Sequence, residues 1–263
     1  MREDTLYYDG QWQQAQSSDY TEVINPTTEE VISKVVKANK EDADRAVASA
    51  NSAFKEWNTL NPDKRADYVE KILEGIKERK QELMDTMIQE LGTSSIFANS
   101  TQVALAVNEM SASIEEARQY SFEEEVENAT VIKEGFGVVV CITPWNFPLN
   151  QIQRKITPAL LAGNTVVVKP PNLAPLTALL LTEIIHDAGL PKGVFNLVTG
   201  SGSETGDYLT NHPDVSVISF TGSTKVGKSL YEKAEKTVKK IVLELGGKSP
   251  MIYLKGGDLE LAV

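Results

Sequence analysis

A chain of 263 residues with 41% apolar side chains is long enough for one large domain or two small ones and can bury a proper core. Its formal charge of −11 repels phosphate backbones and anionic lipid, which argues against nucleic acid and membranes as partners, and no stretch approaches the ~20 uninterrupted apolar residues of a membrane helix. One cysteine, Cys141, rules out an internal disulfide, and with only His186 and His212 beside it the ligands of a zinc cage are missing.

The start, MREDTLYYDG, is acidic where a secretory signal is basic and then apolar, so the expected compartment is the cytoplasm. Apolar and polar residues alternate through YYDGQWQQA and again through EVISKVVKA, with Asn25-Pro26 turning the chain between short strands. Asn39 reads as the N-cap of a first helix, with Glu41 and Asp42 in the turn where negative charge suits the helix dipole. Asn61-Pro62 then opens a long helical region. Tyr68, Ile72, Ile76, Leu83, Met87 and Leu91 recur in it at mostly three- and four-residue steps until Gly92 ends it, and a further helix is expected over residues 95–120. The segment EEEVENATVIKEG turns extended, its acidic run reading as a solvated edge or connection.

From Gly137 onward short β-branched runs alternate with helical stretches: GVVVCIT, TVVVKP, VFNLVTG, VSVISFTG, KKIVLEL and MIYL. That alternation predicts an α/β fold with a parallel sheet and helices on its faces, because parallel strands need long crossovers and are buried on both sides. Ligands of such a sheet bind beyond the carboxyl ends of the strands, where the turns TPWN, KPPN, TGSGSETG, TGST and ELGG gather.

Two glycine patterns suggest phosphate. Gly200, Gly202 and Gly206 follow a strand, yet the dinucleotide fingerprint wants its third glycine at position 205, where Thr205 stands, so a plain turn-and-cap reading weighs equally. GSTKVGKS, residues 222–229, matches the phosphate-loop pattern letter by letter and would make the chain a nucleotide triphosphatase. Such an enzyme needs a magnesium-holding Asp on another strand, for which only Glu244 offers itself. The competing account begins a helix at Ser223, capped by Ser223 or Thr224 with free backbone N–H groups facing a phosphate, and leaves Lys228 a solvated lysine.

CITPWNFPLN, PALLAGNTVVVKPPN, AGLPKGVFNLVTGSG, HPDVSVISFTGSTKVG and LELGGKSP, in this order, resemble the aldehyde dehydrogenase superfamily, closely over residues 137–260 and more loosely before. The resemblance implies a Rossmann-like NAD(P)-binding core over 137–263. It also implies an N-terminal hairpin and helical part over 1–136, with a segment of an oligomerisation arm at about 122–136. The implied reaction oxidises an aldehyde to an acid through a cysteine thiohemiacetal and thioester. Asn146 matches the side-chain donor that stabilises the oxyanion, held between Pro144 and Pro148; Glu244 matches the general base, a role suited to a partly desolvated carboxylate.

For the cofactor the resemblance puts Lys169 near the adenosine ribose, Gly202 and Gly206 near the adenosine, and the TGST turn of Thr221, Gly222, Ser223 and Thr224 at the pyrophosphate. Ile142, Thr143, Pro144 and Trp145 line the cleft, and Phe220, Val226, Leu245 and Gly246 are further cofactor-binding residues. Asn172 stands where many NAD-preferring members carry Glu, so NAD is expected with NADP left open. Lys155 matches a lysine that supports the site, and a helix-surface lysine accounts for it equally well. The family's nucleophile lies beyond Val263 in a GQxC-like segment. Cys141, at the end of an apolar strand, reads as a small buried hydrophobe, because a reactive thiol needs an exposed, pKa-lowering setting. The chain is thus expected to bind dinucleotide, to be inactive alone, and to self-associate, with a homo-oligomer as the parent state. A non-catalytic dinucleotide-binding or regulatory product is the alternative.

Overall fold

Residues 4–262 are described by a computed structural model. The chain opens with β1 (Thr5–Tyr8) and β2 (Gln11–Gln14), joined at Asp9-Gly10, both at positive φ as a tight hairpin requires. A second hairpin, β3 (Tyr20–Ile24) and β4 (Val31–Val36), turns at Asn25-Pro26. α1 (Lys40–Thr59) begins with a reciprocal capping box between Asn39 and Asp42.

The expected helix from 62 to 91 is two helices, α2 (Pro62–Glu78) and α3 (Lys80–Leu91). Arg79 leaves helical geometry between them, and its guanidinium is held by Glu82 and, 2.9 Å away, by Glu183. Ile72, Ile76, Leu83 and Met87 still bury into one core, so the apolar stripe runs through the break unchanged. Residues 95–120 are likewise divided: α4 (Ser95–Phe97), a π-helical segment (Ala98–Val103) and α5 (Ala104–Gln119). The hairpin β5 (Glu123–Val126) and β6 (Ala129–Ile132) stands exposed on every residue.

The α/β part follows: β7 (Val138–Ile142), α6 (Pro148–Leu161), β8 (Thr165–Lys169), α7 (Leu176–Asp187), β9 (Phe195–Leu197), α8 (Thr205–Asn211), β10 (Val215–Gly222), α9 (Thr224–Ala234) and β11 (Lys240–Leu245), with a short α10 (Leu259–Ala262) last. The strand order is β11-β10-β7-β8-β9-β1-β2. Neighbours from β11 to β9 are parallel, and β1 adds antiparallel to β9 at Tyr7 and Leu197. The sheet is therefore mixed, its far edge finished by the N-terminal hairpin. MIYL, expected as a strand, is not one: Met251, Ile252, Tyr253 and Leu254 lie exposed past β11 with no neighbouring strand to hold them extended.

Side chains alternate across the sheet as its pleat demands. Val139, Cys141, Val166 and Val168 pack under α2, α3, α5, α6 and α7. Val138, Val140, Ile142, Val167 and Ile218 pack under α1, α8 and α9. Trp57, fully buried, donates its indole N–H to the Leu160 carbonyl 3.1 Å away and locks α1 to α6. β11 is the other edge; unlike the wholly buried β7 and β8, it exposes Val242 and Leu245.

Candidate functional site

The order reverses at β7: β8 and β9 lie to one side, β10 and β11 to the other. A doubly wound sheet binds its ligand in the crevice that such a reversal opens at the carboxyl ends of the strands. The register puts those ends on one rim. Ile142 pairs with Lys169 and with Phe220, Phe220 with Leu243, Thr221 with Glu244, and Gly222 with Leu245.

On β7's side the Thr143 N–H reaches the Lys169 carbonyl at 3.3 Å, and the Thr143 hydroxyl is buried without a hydrogen-bond partner. Pro144 is half-buried, and Trp145 and Asn146 are exposed at the mouth. The Asn146 carbonyl accepts a 2.8 Å hydrogen bond from Gln102 Nε2, and the Phe147 ring meets Phe97 edge-on with centroids 5.9 Å apart. Pro148 then starts α6, where a missing N–H costs nothing.

On β8's side Lys169 is buried. Its Nζ donates to the Pro170 carbonyl at 2.6 Å and the Gly200 carbonyl at 3.1 Å, leaving one donor, and burial pushes its pKa down to about 8. Asn172 is half-buried in the loop beyond. Gly200 is required by sterics: at φ +147 any Cβ would sit 2.0 Å from the Thr205 hydroxyl oxygen, itself bound to the Ala38 carbonyl. Gly202 faces open space, and Gly206, buried, lies against the Lys169 side chain.

On β10's side Phe220 is buried beneath Gly222, and the Thr221 hydroxyl is buried without a partner. Ser223 caps α9 by accepting from the Val226 N–H at 3.3 Å, and Val226 is exposed. The triphosphatase reading fails here. A phosphate loop has to wrap its anion before the helix begins, but α9 starts at Thr224, so Gly227 and Lys228 are already helical. Gly227 serves packing: a Cβ there would meet the Leu245 side chain at 2.7 Å.

On β11, Glu244 is exposed, as are Leu245 and Gly246. The partial desolvation expected of this carboxylate is absent, while its charge acts on both Arg154 and Lys155. Lys240, at the start of the same strand, has its Nζ 5.9 Å above the Phe136 ring. Lys155 is not a surface lysine. It is buried beneath the rim, 3.4 Å from the Ser219 hydroxyl; burial lowers its pKa, and Cys141 and Glu244 oppose that shift. Cys141 is fully buried, and desolvation pushes its thiol up to about 12. Among the described residues no cluster of three or more His, Cys, Asp or Glu could hold a metal. His186 bonds the Tyr7 hydroxyl at 3.1 Å, and His212 closes α8.

Gln102, Ser219 and Glu90, which reach this rim or its supports, carried no sequence signal. Each acts through hydrogen bonds to elements remote in the chain. A cavity of about 620 Å³ lies away from the rim, between α5, the β5–β6 hairpin and α6.

Fold and rim together define a doubly wound α/β protein with its loops gathered at a topological switch point. The aldehyde dehydrogenase family model matches residues 12–263, and the chain belongs to that family. It is 41% identical over 256 residues to a Staphylococcus haemolyticus protein provisionally named an aldehyde dehydrogenase, covering 97% of this chain and 54% of the relative. Aldehyde dehydrogenase C of Pseudomonas syringae, solved as a cysteine-to-alanine mutant with NAD+ and octanal, superposes with a TM-score of 0.93 at 43% identity, over 97% of this chain and 53% of that one. A betaine aldehyde dehydrogenase variant of Staphylococcus aureus with NAD+ gives 0.93 at 35% identity, over 99% and 53%. The chain spans about half the length of the curated relatives it matches. No described helix is long and apolar enough to cross a membrane.

Proposed function

We propose that this chain holds a nicotinamide dinucleotide in the crevice at the carboxyl ends of β8, β7 and β10 and serves an enzyme that oxidises an aldehyde to a carboxylic acid. The observation that carries the reading is the strand-order reversal, which brings the Thr143–Asn146 loop, the Gly222–Ser223 turn and Glu244 to one rim. A cofactor also fits the chemistry of the walls. The orphaned Thr143 and Thr221 hydroxyls need partners, α9 presents backbone N–H groups suited to a pyrophosphate, and Lys169 keeps a donor for a ribose. The NAD+ in the Pseudomonas syringae and Staphylococcus aureus structures supports the same reading. With neutral Asn172 in place of an acid, NADP stays open.

A nicotinamide bound there would supply the hydride acceptor for the aldehyde carbon. The Asn146 amide, exposed at the mouth, donates to the oxygen on which negative charge builds. Glu244 takes a proton from water, a role that its position beside Thr221 supports and that gains strength once another surface covers it. Buried Cys141 supplies no thiolate, so these 263 residues by themselves bind cofactor and do not turn over aldehyde. Exposed Val226 and Tyr231 on α9, with the exposed β5–β6 hairpin, suit contact with further copies of the chain.

Titration with NAD, NADP and Mg-ATP, followed by tryptophan fluorescence, tests the reading. Saturable binding of a nicotinamide nucleotide is expected, with no NADH formed from added aldehyde. Binding of Mg-ATP alone, lost in Lys228→Ala, would overturn it. NADH formation abolished by Cys141→Ala would make the buried thiol a nucleophile after all.

A further inference from the structure

Two walls of the proposed groove are tied to one short stretch of chain. The loop from Pro170 to Pro175 leads from Lys169 into α7, whose N-terminus has no capping side chain of its own. Glu90, at the end of α3 and buried, supplies the cap from 86 residues away. Its carboxylate accepts the Leu176 N–H at 2.7 Å, the Thr177 N–H at 2.9 Å and the Thr177 hydroxyl. Those are N–H groups that the helix cannot satisfy internally, and a carboxylate there also meets the positive end of the dipole. The other wall, Thr143 to Phe147, is held by Gln102, itself buried, through the Asn146 carbonyl, and by Phe97 against Phe147.

The second anchor, Gln102, lies in the π-helical segment Ala98–Val103. Such segments are rare and concentrate at functional sites. The two loops start from neighbouring strands at paired positions, Ile142 and Lys169. A brace spanning both therefore fixes the width of the groove between them.

We infer that the stretch from Glu90 to Gln102 is a brace that positions both walls of the cofactor groove, with Glu90 acting through the Pro170–Pro175 loop and Gln102 through the Asn146 carbonyl. The inference rests on the dinucleotide reading above. It distinguishes the two anchors: Glu90 serves the adenosine side beside Lys169, and Gln102 serves the opposite side beside Asn146. A purely structural role for Gln102 would weaken both ligands alike, and one for Glu90 would cost stability while leaving the affinities of the folded protein unchanged.

The test measures binding of NAD and of 5′-AMP to the full chain by calorimetry at about pH 8, in wild type, Glu90→Gln and Gln102→Met. Glu90→Gln is expected to weaken both ligands about tenfold, and Gln102→Met to weaken NAD about tenfold while leaving 5′-AMP within about twofold. Circular dichroism checks folding, and a variant that fails to fold is replaced by Glu90→Asp or Gln102→Asn, with the same split required. Folded variants that bind both ligands like wild type, or a Gln102 variant that loses both equally, overturn the brace and leave the dinucleotide reading standing. A wild-type chain that binds neither ligand overturns both.

Discussion

Replacing Glu90 with Gln should change how the stability of the protein depends on pH. Burial raises the Glu90 carboxyl from 4.5 to about 7, against the opposing pull of the Thr177 and Leu176 hydrogen bonds. Between those values the folded protein holds a proton that the unfolded chain has already released. Stability therefore falls as pH rises through the window, and a rise from 4.5 to about 7 corresponds to about 3 kcal/mol in total. Glu90→Gln removes this titration and leaves every other group in place, so the comparison isolates it. The glutamine amide also points one N–H₂ toward the Thr177 donors, which adds a penalty of about 1–3 kcal/mol that does not vary with pH. Urea unfolding of both proteins from about pH 5 to about pH 8 gives the measurement. The stability of the variant relative to wild type should climb by about 2.5 kcal/mol over that range, whatever its starting offset. Parallel curves would refute the reasoning, since they would mean that Glu90 ionises in the folded protein as readily as in water.

Cys141, with its thiol pushed up to about 12, should react with an aromatic disulfide reagent at pH 8 at least about a thousandfold more slowly than free cysteine, and promptly in denaturant; fast labelling of the folded protein would contradict the burial. Gly200→Ala, at φ +147 and with its new carbon 2.0 Å from the Thr205 hydroxyl, should lose about 2 kcal/mol or more of stability in a thermal melt. Gly202→Ala, which faces open space, should stay within about 0.5 kcal/mol, and equal losses at the two glycines would refute the steric account.

What the sequence disclosed is what local chemistry encodes. The β-branched runs from Val138 to Leu245 became strands, and Asn39 and Ser223 cap the helices that they precede. The break at Arg79 was hidden because the apolar stripe keeps its phase across it, and the acids that hold Arg79 there include one on α7. GSTKVGKS misled because a letter pattern cannot say where a helix starts, and here it starts two residues after the first glycine. The strand expected at MIYL needed a neighbour, which no local signal can supply. The sequence left Lys155 open between a supporting and a surface lysine, and it is buried; Glu244, expected to be partly desolvated, is exposed, since each depends on what packs above it. Gln102 and Glu90 belong to the same class: long-range bonds from polar residues whose partners no local pattern names.

β11 is bonded to β10 along one side, and its other margin is open among the described residues. Glu244 stands on this same strand, one place before its last residue. A polypeptide that laid itself along the vacant margin would satisfy idle main-chain groups and, in the same act, strip water from the acid. Capping the sheet and drying that carboxylate are thus one event, so any surface recruited for the first purpose also does the second.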